Sequence, residues 1–204
     1  PTEPQTWRVF LDREFTAKLR IIKKDADTKR AVLVPDAEFK IYDCGREEYV
    51  KQYTTYPSKV EHTSFFTDED GDLILPEALK VGNYRIEEVT APSGYVVNET
   101  AVNISVDTDT AYETDGDTNE AVITVEYFDA PAVGELAVEK KGEVLEGYQG
   151  GLFADSQEKE FVYKEGGLAG AKFNIYAAED IFTADHQKDA DGNRTGHYSK
   201  GDLV

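Results

Sequence analysis

The sequence has a single cysteine, no methionine and far fewer basic than acidic residues. Because Cys44 is alone, the chain cannot form an internal disulfide, and no histidine or amide partner accompanies it in a pattern that would activate a thiol. The net charge of −19, with both signs interspersed, excludes a basic surface for nucleic acid or an anionic membrane. No membrane-spanning run, signal peptide or sorting motif occurs, and the start at Pro1 leads us to expect a piece of a longer protein.

Helical periodicity is nearly absent as well. Short runs of Val, Ile, Thr, Tyr and Phe alternate with polar residues instead. Clusters of turn-forming residues separate these runs, at 25–28, 67–72, 91–94, 114–119 and 189–193. Many short strands joined by such turns are typical of an all-β, antiparallel β-sandwich. The one place where we expect a helical turn is Pro76–Leu79.

Three predicted strands each carry one charged residue on the face that alternation assigns to the interior: Lys23 in 19–23, Glu88 in 84–88 and Asp129 in 123–129. A lone ionised group in an apolar interior is very costly, so each charge must be paired, neutralised or consumed. Two interpretations remain open. Either each charge reaches solvent from a strand end, or the lysine and the two carboxyls meet as the set that an amine–carboxyl condensation needs.

The sequence also contains an internal repeat. The aligned segments are 18–24 with 135–141 and 36–42 with 170–176. Both copies place a lysine after two inward apolar residues, which makes Lys140 the second-domain counterpart of Lys23. A short Pro/Gly linker at 130–134 separates the copies, and its length allows only a small distance between them.

Four segments occur in an order that resembles the Cna B-type, or SpaA-like, domains of Gram-positive surface adhesins and pilins: KKDADT, DAEFKIY, TDEDGDLILPEALKVGNYRIEEVTAPSGY and VEYFDAP. The most specific part is the G-x-Y-x-I-x-E-x-x-A-P-x-G-Y run from Gly82 to Tyr95. The resemblance covers residues 18–131 in full and 135–204 in its first part, which leaves 1–17 as a lead-in or the tail of a preceding module. It implies an Ig-like or transthyretin-like sandwich.

The resemblance also implies a spontaneous isopeptide bond within the first domain. The matching positions make Lys23 the nucleophile, Asp129 the acceptor, and Glu88, rather than Glu87, the catalytic glutamate. Asparagine is the commoner acceptor in the family, so the leaving group here is water and the Asp129 carboxyl must be protonated to react. The reaction is a single intramolecular turnover that needs no cofactor or metal, so we do not expect an enzyme.

The expected function is that of a structural stalk or spacer in a cell-wall-anchored adhesin or pilin, outside the cell, with neighbouring domains of the same protein as partners. An alternative is a ligand-binding module that contacts host matrix or glycan through loop 44–64. Exposed aromatics at Tyr49, Tyr53 and Tyr56 would favour that alternative. A third possibility is an accessory β-domain of a secreted enzyme, with catalytic residues elsewhere.

The second copy lacks counterparts of residues 75–95 and 125–131. We therefore expect it to be incomplete, and Lys140 to form no isopeptide bond within this chain.

Two weaker sequence motifs have simpler interpretations. The Asp-rich segments 68–72 and 189–193 fit turns better than calcium loops, and the segment from Tyr56 to Lys59 only partly matches the lysine motif that sortases use.

Overall fold

The computed structural model describes residues 13–149 and 160–204, which form strands and loops without a helix. The all-β class predicted from the sequence is confirmed. The chain divides into two compact units. The first contains the residues up to Ala132 together with Phe182–His197, and the second contains Val133–Ile181 with Tyr198–Val204.

The first unit holds all of the long strands that carry the inward charges. Its strands are β1 (Thr16–Asp25), β2 (Glu38–Asp43), β3 (Glu48–Tyr49), β4 (Gln52–Thr54), β5 (Val60–His62), β6 (Phe65–Phe66), β7 (Asp72–Ile74), β8 (Leu79–Lys80), β9 (Gly82–Thr90), β10 (Tyr95–Val96), β11 (Val102–Val106), β12 (Glu113–Thr114) and β13 (Ala121–Pro131). The remaining strands are β14 (Lys141–Gln149), β15 (Glu160–Gly167), β16 (Ile181–Phe182) and β17 (Gly196–Tyr198).

One sheet of the first unit has β10, β13, β1 and β7 in a row, with β12 against β13 and β8 against β1. β1 and β13 run parallel, whereas the other pairs of this sheet are antiparallel. In the parallel register, Lys23 lies opposite Tyr127 and Asp25 lies opposite Asp129. A parallel pair needs a long crossover connection, and the whole of the intervening domain supplies it here.

The other sheet has β11, β9, β2 and β3 in a row, with β6 against β2. Within it, Glu88 of β9 pairs with Phe39 of β2, directly after a shift of register at Glu38. Apolar side chains from both sheets form one buried core: Ala17, Leu19, Ile21, Ala37, Phe39, Ile41, Phe65, Leu73, Leu75, Leu79, Tyr84, Ile86, Val106, Ile123 and Tyr127. The sandwich predicted from alternation is therefore the observed architecture.

Burial alternates strictly along β1, as a half-buried strand requires. The partly exposed side of β1 carries ion pairs to the neighbouring strands and loops: Lys18 with Glu120, Arg20 with Asp72 and Lys24 with Glu126. Lys23 lies on the opposite, buried side. The buried side of β1 therefore carries Lys23 and, at the end of the strand, Asp25, whose carboxylate is satisfied by the N–H groups of Asp27 and Thr28 and by the Tyr95 hydroxyl.

The prediction of a helical turn at Pro76–Leu79 is wrong, because residues 76 and 77 form a bend and Leu79 begins β8. The buried side chain of Gln52 explains the difference. It donates from Nε2 to the Glu77 carbonyl at 2.8 Å and accepts the Glu77 N–H at Oε1 at 2.9 Å. With its backbone satisfied in this way, the segment needs no helical hydrogen bonds and can deliver Leu79 to the core.

The two Asp-rich segments are turns closed by their own first aspartates. One oxygen of Asp68 and one of Asp189 accept the backbone N–H groups two and four residues further on. Gly71 and Gly192 supply the positive φ angles, 71° and 85°, that these turns need. Because the carboxylates already serve the backbone, the geometry favours the turn interpretation over calcium.

Residues 182–197, called the docked segment below, pack with the first unit although the repeat assigned them to the second copy. The N–H of Leu33 donates to the Asp185 carbonyl at 2.9 Å, and Gln187 Nε2 donates to the Ala31 carbonyl at 2.6 Å. The fully buried Asp185 carboxylate lies 2.6 Å from Arg30 Nη2. These polar contacts surround a small second core that consists of Val32, Val34, Tyr95, Ala91 and Ala184.

The second unit pairs β14 with β15 as an antiparallel hairpin. Residues 132–140 form no strand, and Lys140 is exposed. The inward position predicted for Lys140 is therefore not observed. The reason is that no facing sheet covers its apolar neighbours within the described part of this unit, where Leu136, Val138, Phe173 and Ile175 are about half exposed.

Among residues 13–149 and 160–204 there is no helix of the length and apolarity needed to cross a bilayer.

The docked segment yields a stability prediction. We expect Asp185→Ala to lower the free energy of unfolding by about 1–3 kcal/mol, because it leaves Arg30 without its buried partner, while the partial exposure of Arg30 moderates the loss. Urea unfolding of the purified chain measures this. Asp191→Ala is the matched control, since Asp191 is exposed in the same segment and should change stability by less than about 0.5 kcal/mol. Equal stability of the two variants would contradict the assignment.

Candidate functional site

The three inward charges meet inside the core of the first unit. Lys23 and Asp129 project from the same face of the parallel pair β1 and β13, and Asp129 lies two positions beyond the residue opposite Lys23. Glu88 reaches them from β9 in the other sheet. None of the three side chains has any exposed surface. The interpretation in which each charge reaches solvent from a strand end is therefore wrong for this structure.

The lysine amine lies at the centre of the group. Lys23 Nζ donates to Glu88 Oε1 at 2.5 Å and lies 2.5 Å from Asp129 Oδ1. The contact with Asp129 lacks the angles of an ordinary hydrogen bond, and neither Asp129 oxygen has such a bond to any donor in the described residues. The Asp129 carboxyl thus lies next to the Lys23 amine and accepts no hydrogen bond from another donor in the described residues.

Two aromatic rings line the site. The centroid of the Tyr127 ring lies 4.5 Å from Lys23 Nζ and that of the Phe39 ring lies 5.4 Å away. The rings contact each other edge to face, with centroids 5.1 Å apart. The two rings keep water away from the Lys23 amine. Their cation–π attraction for the amine is weak and replaces only part of the lost hydration. Burial and the nearby Glu88 carboxylate raise the pKa of Tyr127 to about 12, so its hydroxyl stays protonated and remains a donor.

The same burial changes the chemistry of the acceptor. Loss of hydration raises the pKa of Asp129 to about 7; the Glu88 carboxyl adds to the rise, while Lys23 opposes it. A carboxyl with this pKa is substantially protonated near neutral pH, whereas an exposed aspartate is not. Protonation turns the Asp129 hydroxyl into a group that can leave as water. The site therefore supplies an amine, a protonated acceptor and a second carboxyl able to carry a proton between them.

The two adjacent glutamates of β9 have opposite surroundings. Glu88 Oε2 accepts the backbone N–H of Asn98 at 2.8 Å inside the core. Glu87 faces outward, where it accepts hydrogen bonds from the Tyr49 hydroxyl at 2.8 Å and from Arg85 Nε at 2.6 Å. Partial burial raises the pKa of Glu87, but the hydrogen bonds from Tyr49 and Arg85 outweigh it, so the pKa is lowered. The inward residue is thus Glu88, as strand alternation predicted.

Other candidate residues lie away from this group. Cys44 is exposed, and Lys140 lies in the second unit. Sequence reasoning missed Asn98 and the role of the Tyr127 hydroxyl, which donates to the carbonyls of Asn98 and Thr100 at 3.0 Å. Asn98 and Thr100 lie outside any strand, so periodicity carries no signal for them. The one local signal is the Asn-x-Thr spacing, which is typical of a turn in which the asparagine side chain accepts the N–H of the residue two positions on.

Comparison with protein families gives one direct match. The SpaA family model, described as a prealbumin-like fold domain, matches residues 17–120, which is more than half of the chain. The chain therefore belongs to this family, and the resemblance identified from the sequence is confirmed. The matched range includes Lys23 and Glu88 and ends before Asp129. A comparison with curated proteins found no match.

Solved structures give fold-level likenesses only. The TIE protein of Bacillus anthracis is 25% identical over 63% of this chain and 19% of its own, with a TM-score of 0.39. GBS52, a minor pilin of Streptococcus agalactiae, is 14% identical over 62% of this chain and 49% of its own, with a TM-score of 0.46. The shaft pilin SpaA of Lactobacillus rhamnosus GG is 20% identical over 61% and 50%, with a TM-score of 0.43. The chain spans at most half the length of each.

The raised pKa of Asp129 predicts an unusual pH dependence in a variant that cannot react. In Lys23→Met, we expect the free energy of unfolding to fall as pH rises from about 4 to 7, by up to about 1.4 kcal/mol per pH unit. In this range the folded state keeps the Asp129 proton that the unfolded chain, with a pKa of 3.8, has lost. Removal of the lysine strengthens the effect, because Lys23 lowers this pKa. Urea unfolding at several pH values measures the slope.

The control for this slope is the double variant Lys23→Met with Asp129→Asn. Its amide does not titrate, so its stability should change less over the same range. A single variant whose stability rises with pH, or parallels that of the double variant, would show that Asp129 is not held protonated by burial.

Proposed function

We propose that this chain is a structural stalk or spacer module of a cell-wall-anchored surface adhesin or pilin, stabilised by a self-formed isopeptide bond between Lys23 and Asp129. The observation that carries the proposal is the fully buried triad, with Lys23 Nζ 2.5 Å from both an Asp129 oxygen and a Glu88 oxygen. A permanently buried amine with two carboxyls is expensive to keep as ions. Condensation removes one charge of each sign and leaves a neutral amide.

The position of the bond suits a module that bears tension. The chain enters the domain along β1 and leaves it along β13, and these strands are direct neighbours. Once Lys23 and Asp129 are linked, a pulling force passes from β1 through the covalent bond to the end of β13. The intervening sheets lie outside this force path, so their hydrogen bonds are not loaded.

The bond also restricts the unfolded chain. It closes a loop of about a hundred residues, which by analogy with disulfides is worth about 4–5 kcal/mol. For a protein exposed to proteases and mechanical load, the larger benefit is kinetic, because the domain cannot open at the linked strands. These properties support a location outside the cell, with neighbouring domains of the same surface protein as partners. They do not call for substrate turnover, so the module is not an enzyme.

Intact mass tests the proposal. We expect the purified chain to weigh one water less than its sequence mass. Lys23→Ala, Asp129→Ala and Glu88→Ala should each have the full mass, because they lack the nucleophile, the acceptor and the proton carrier. The Glu88 variant should also lose much of its resistance to heat and protease. Glu87→Ala is the matched control, since its side chain lies outside the core, and it should still lose a water. A folded wild-type chain with its full mass would exclude the bond.

A second candidate function, ligand binding through loop 44–64, is supported by a separate observation. Tyr49, Tyr53 and Tyr56 are exposed to 42%, 37% and 89%. Tyr49 and Tyr53 also line a surface cavity of about 660 Å³, together with charged residues that include Arg46 and Glu77. Exposed tyrosines beside a polar cavity suit a host matrix protein or a glycan. This function is compatible with the stalk proposal because the cavity and the triad share no residue.

This second candidate predicts specific binding to a panel of immobilised matrix proteins and glycans. We expect the double variant Tyr49→Ala with Tyr53→Ala to lose at least tenfold in affinity for any ligand that binds. Tyr112→Ala removes an equally exposed tyrosine outside the cavity and should bind like the wild type. Absence of wild-type binding across the panel, or equal binding by all three proteins, would count against a ligand site at this loop.

A further inference from the structure

Asn98 follows β10 and makes four hydrogen bonds around the triad. Its N–H donates to Glu88 Oε2 at 2.8 Å, and its Nδ2 donates to the Phe128 carbonyl at 2.9 Å. Its Oδ1 accepts the Thr100 N–H at 3.0 Å, and its carbonyl accepts the Tyr127 hydroxyl at 3.0 Å. One residue thus connects the glutamate, the residue before the acceptor and the tyrosine beside the amine.

These bonds give the two oxygens of Glu88 different surroundings. Oε1 lies 2.5 Å from Lys23 Nζ, while Oε2 is occupied by the Asn98 N–H. Because Oε2 already accepts the Asn98 N–H, Oε1 is the oxygen that is placed to exchange a proton with the reacting groups.

The side chain of Asn98 fixes the position of its own N–H. Residues 97–100 belong to no strand, so no ladder of hydrogen bonds holds them. The bond from Nδ2 to Phe128 ties this loop to β13, one residue before Asp129. A side-chain amide is suited to this task, because it can donate to a carbonyl and accept a backbone N–H at the same time.

We propose that Asn98 is a positioning residue for formation of the Lys23–Asp129 bond and acts through Glu88. This inference rests on the function proposed above. In the reaction, the neutral Lys23 amine bonds to Cγ of protonated Asp129, and the bond from Cγ to the hydroxyl oxygen breaks. One amine proton passes through Glu88 Oε1 to the departing hydroxyl, which leaves as water. Asn98 keeps Oε1 in the path of that proton.

The experiment measures the rate of bond formation in the full chain. Newly made protein is produced in a short cell-free pulse, chased in buffers from pH 5 to pH 9 and quenched with acid at intervals. Intact mass gives the linked fraction at each time. The variants are Asn98→Ala, which removes both side-chain bonds, and Asn98→Asp, which keeps the shape and the bond to Thr100 but loses the donor to Phe128. Asn83→Ala is the control, since it loses a hydrogen bond to Ser105 on the exposed side.

We expect both Asn98 variants to form the bond about tenfold to a hundredfold more slowly than the wild type, because a small misplacement of a proton carrier is costly. The rate should fall at alkaline pH as Asp129 loses its proton, and in Asn98→Ala this fall should keep its pH position, because Asn98 makes no hydrogen bond to the Asp129 carboxyl. A purely structural loss would admit water to the core, lower the raised pKa of Asp129 and move the fall to lower pH. Asn83→Ala should behave like the wild type.

The outcomes separate the two claims. If the wild-type chain never loses a water, the proposed function fails. If the wild type links and both Asn98 variants link at the same rate, or Asn98→Ala slows down with the alkaline fall moved to lower pH, the positioning role is wrong while the bond stands. If Asn98→Ala does not fold, Asn98→Asp decides, since it preserves the turn with Thr100.

Discussion

The first unit is organised around the burial of a lysine amine between two carboxyls. Such groups are stable in an apolar interior only when each compensates the others, so the strands that carry Lys23, Glu88 and Asp129 must adopt one register. A shift of any of these strands by one residue would expose its charged group and bury an outward side chain instead. The triad therefore enforces the alignment of the two sheets in addition to the chemistry proposed for it.

The topology makes this constraint global. Lys23 is on the first strand of the domain and Asp129 on the last, and the two strands pair in parallel. Pairing of the two ends closes a loop that spans the whole domain, and such long-range parallel pairing is intrinsically slow. We therefore expect Asp129 to reach the amine late, after Glu88 and the second sheet are in place. A bond made at this stage would lock a completed fold and would not trap an incomplete one.

Much of the site could be predicted from alternation, because a strand has a period of two and an inward charge is conspicuous. Lys23, Glu88 and Asp129 were found in that way, and the distinction between Glu88 and Glu87 followed from the same rule. Asn98 could not be found, since an irregular loop has no period and its partners are far apart in sequence. The position of the docked segment could not be predicted for another reason. The repeat assigned it to the second copy, whereas the ion pair of buried Asp185 with partly exposed Arg30 and the Ala184 contact hold it against the first unit.

Aspartate in the proposed acceptor role places a further demand on the core. An asparagine needs no proton before attack, but in the proposed reaction Asp129 must be neutral to lose water, and at its ordinary pKa it would be ionised outside acidic conditions. The absence of exposure, the two rings and the Glu88 carboxyl raise its pKa to about 7 and make the neutral form accessible. The cost is a carboxyl that increasingly destabilises the unlinked fold as pH rises from about 4 to 7. In the proposed reaction, condensation removes that cost permanently, so the unfavourable environment of Asp129 would itself be part of the driving force for the bond.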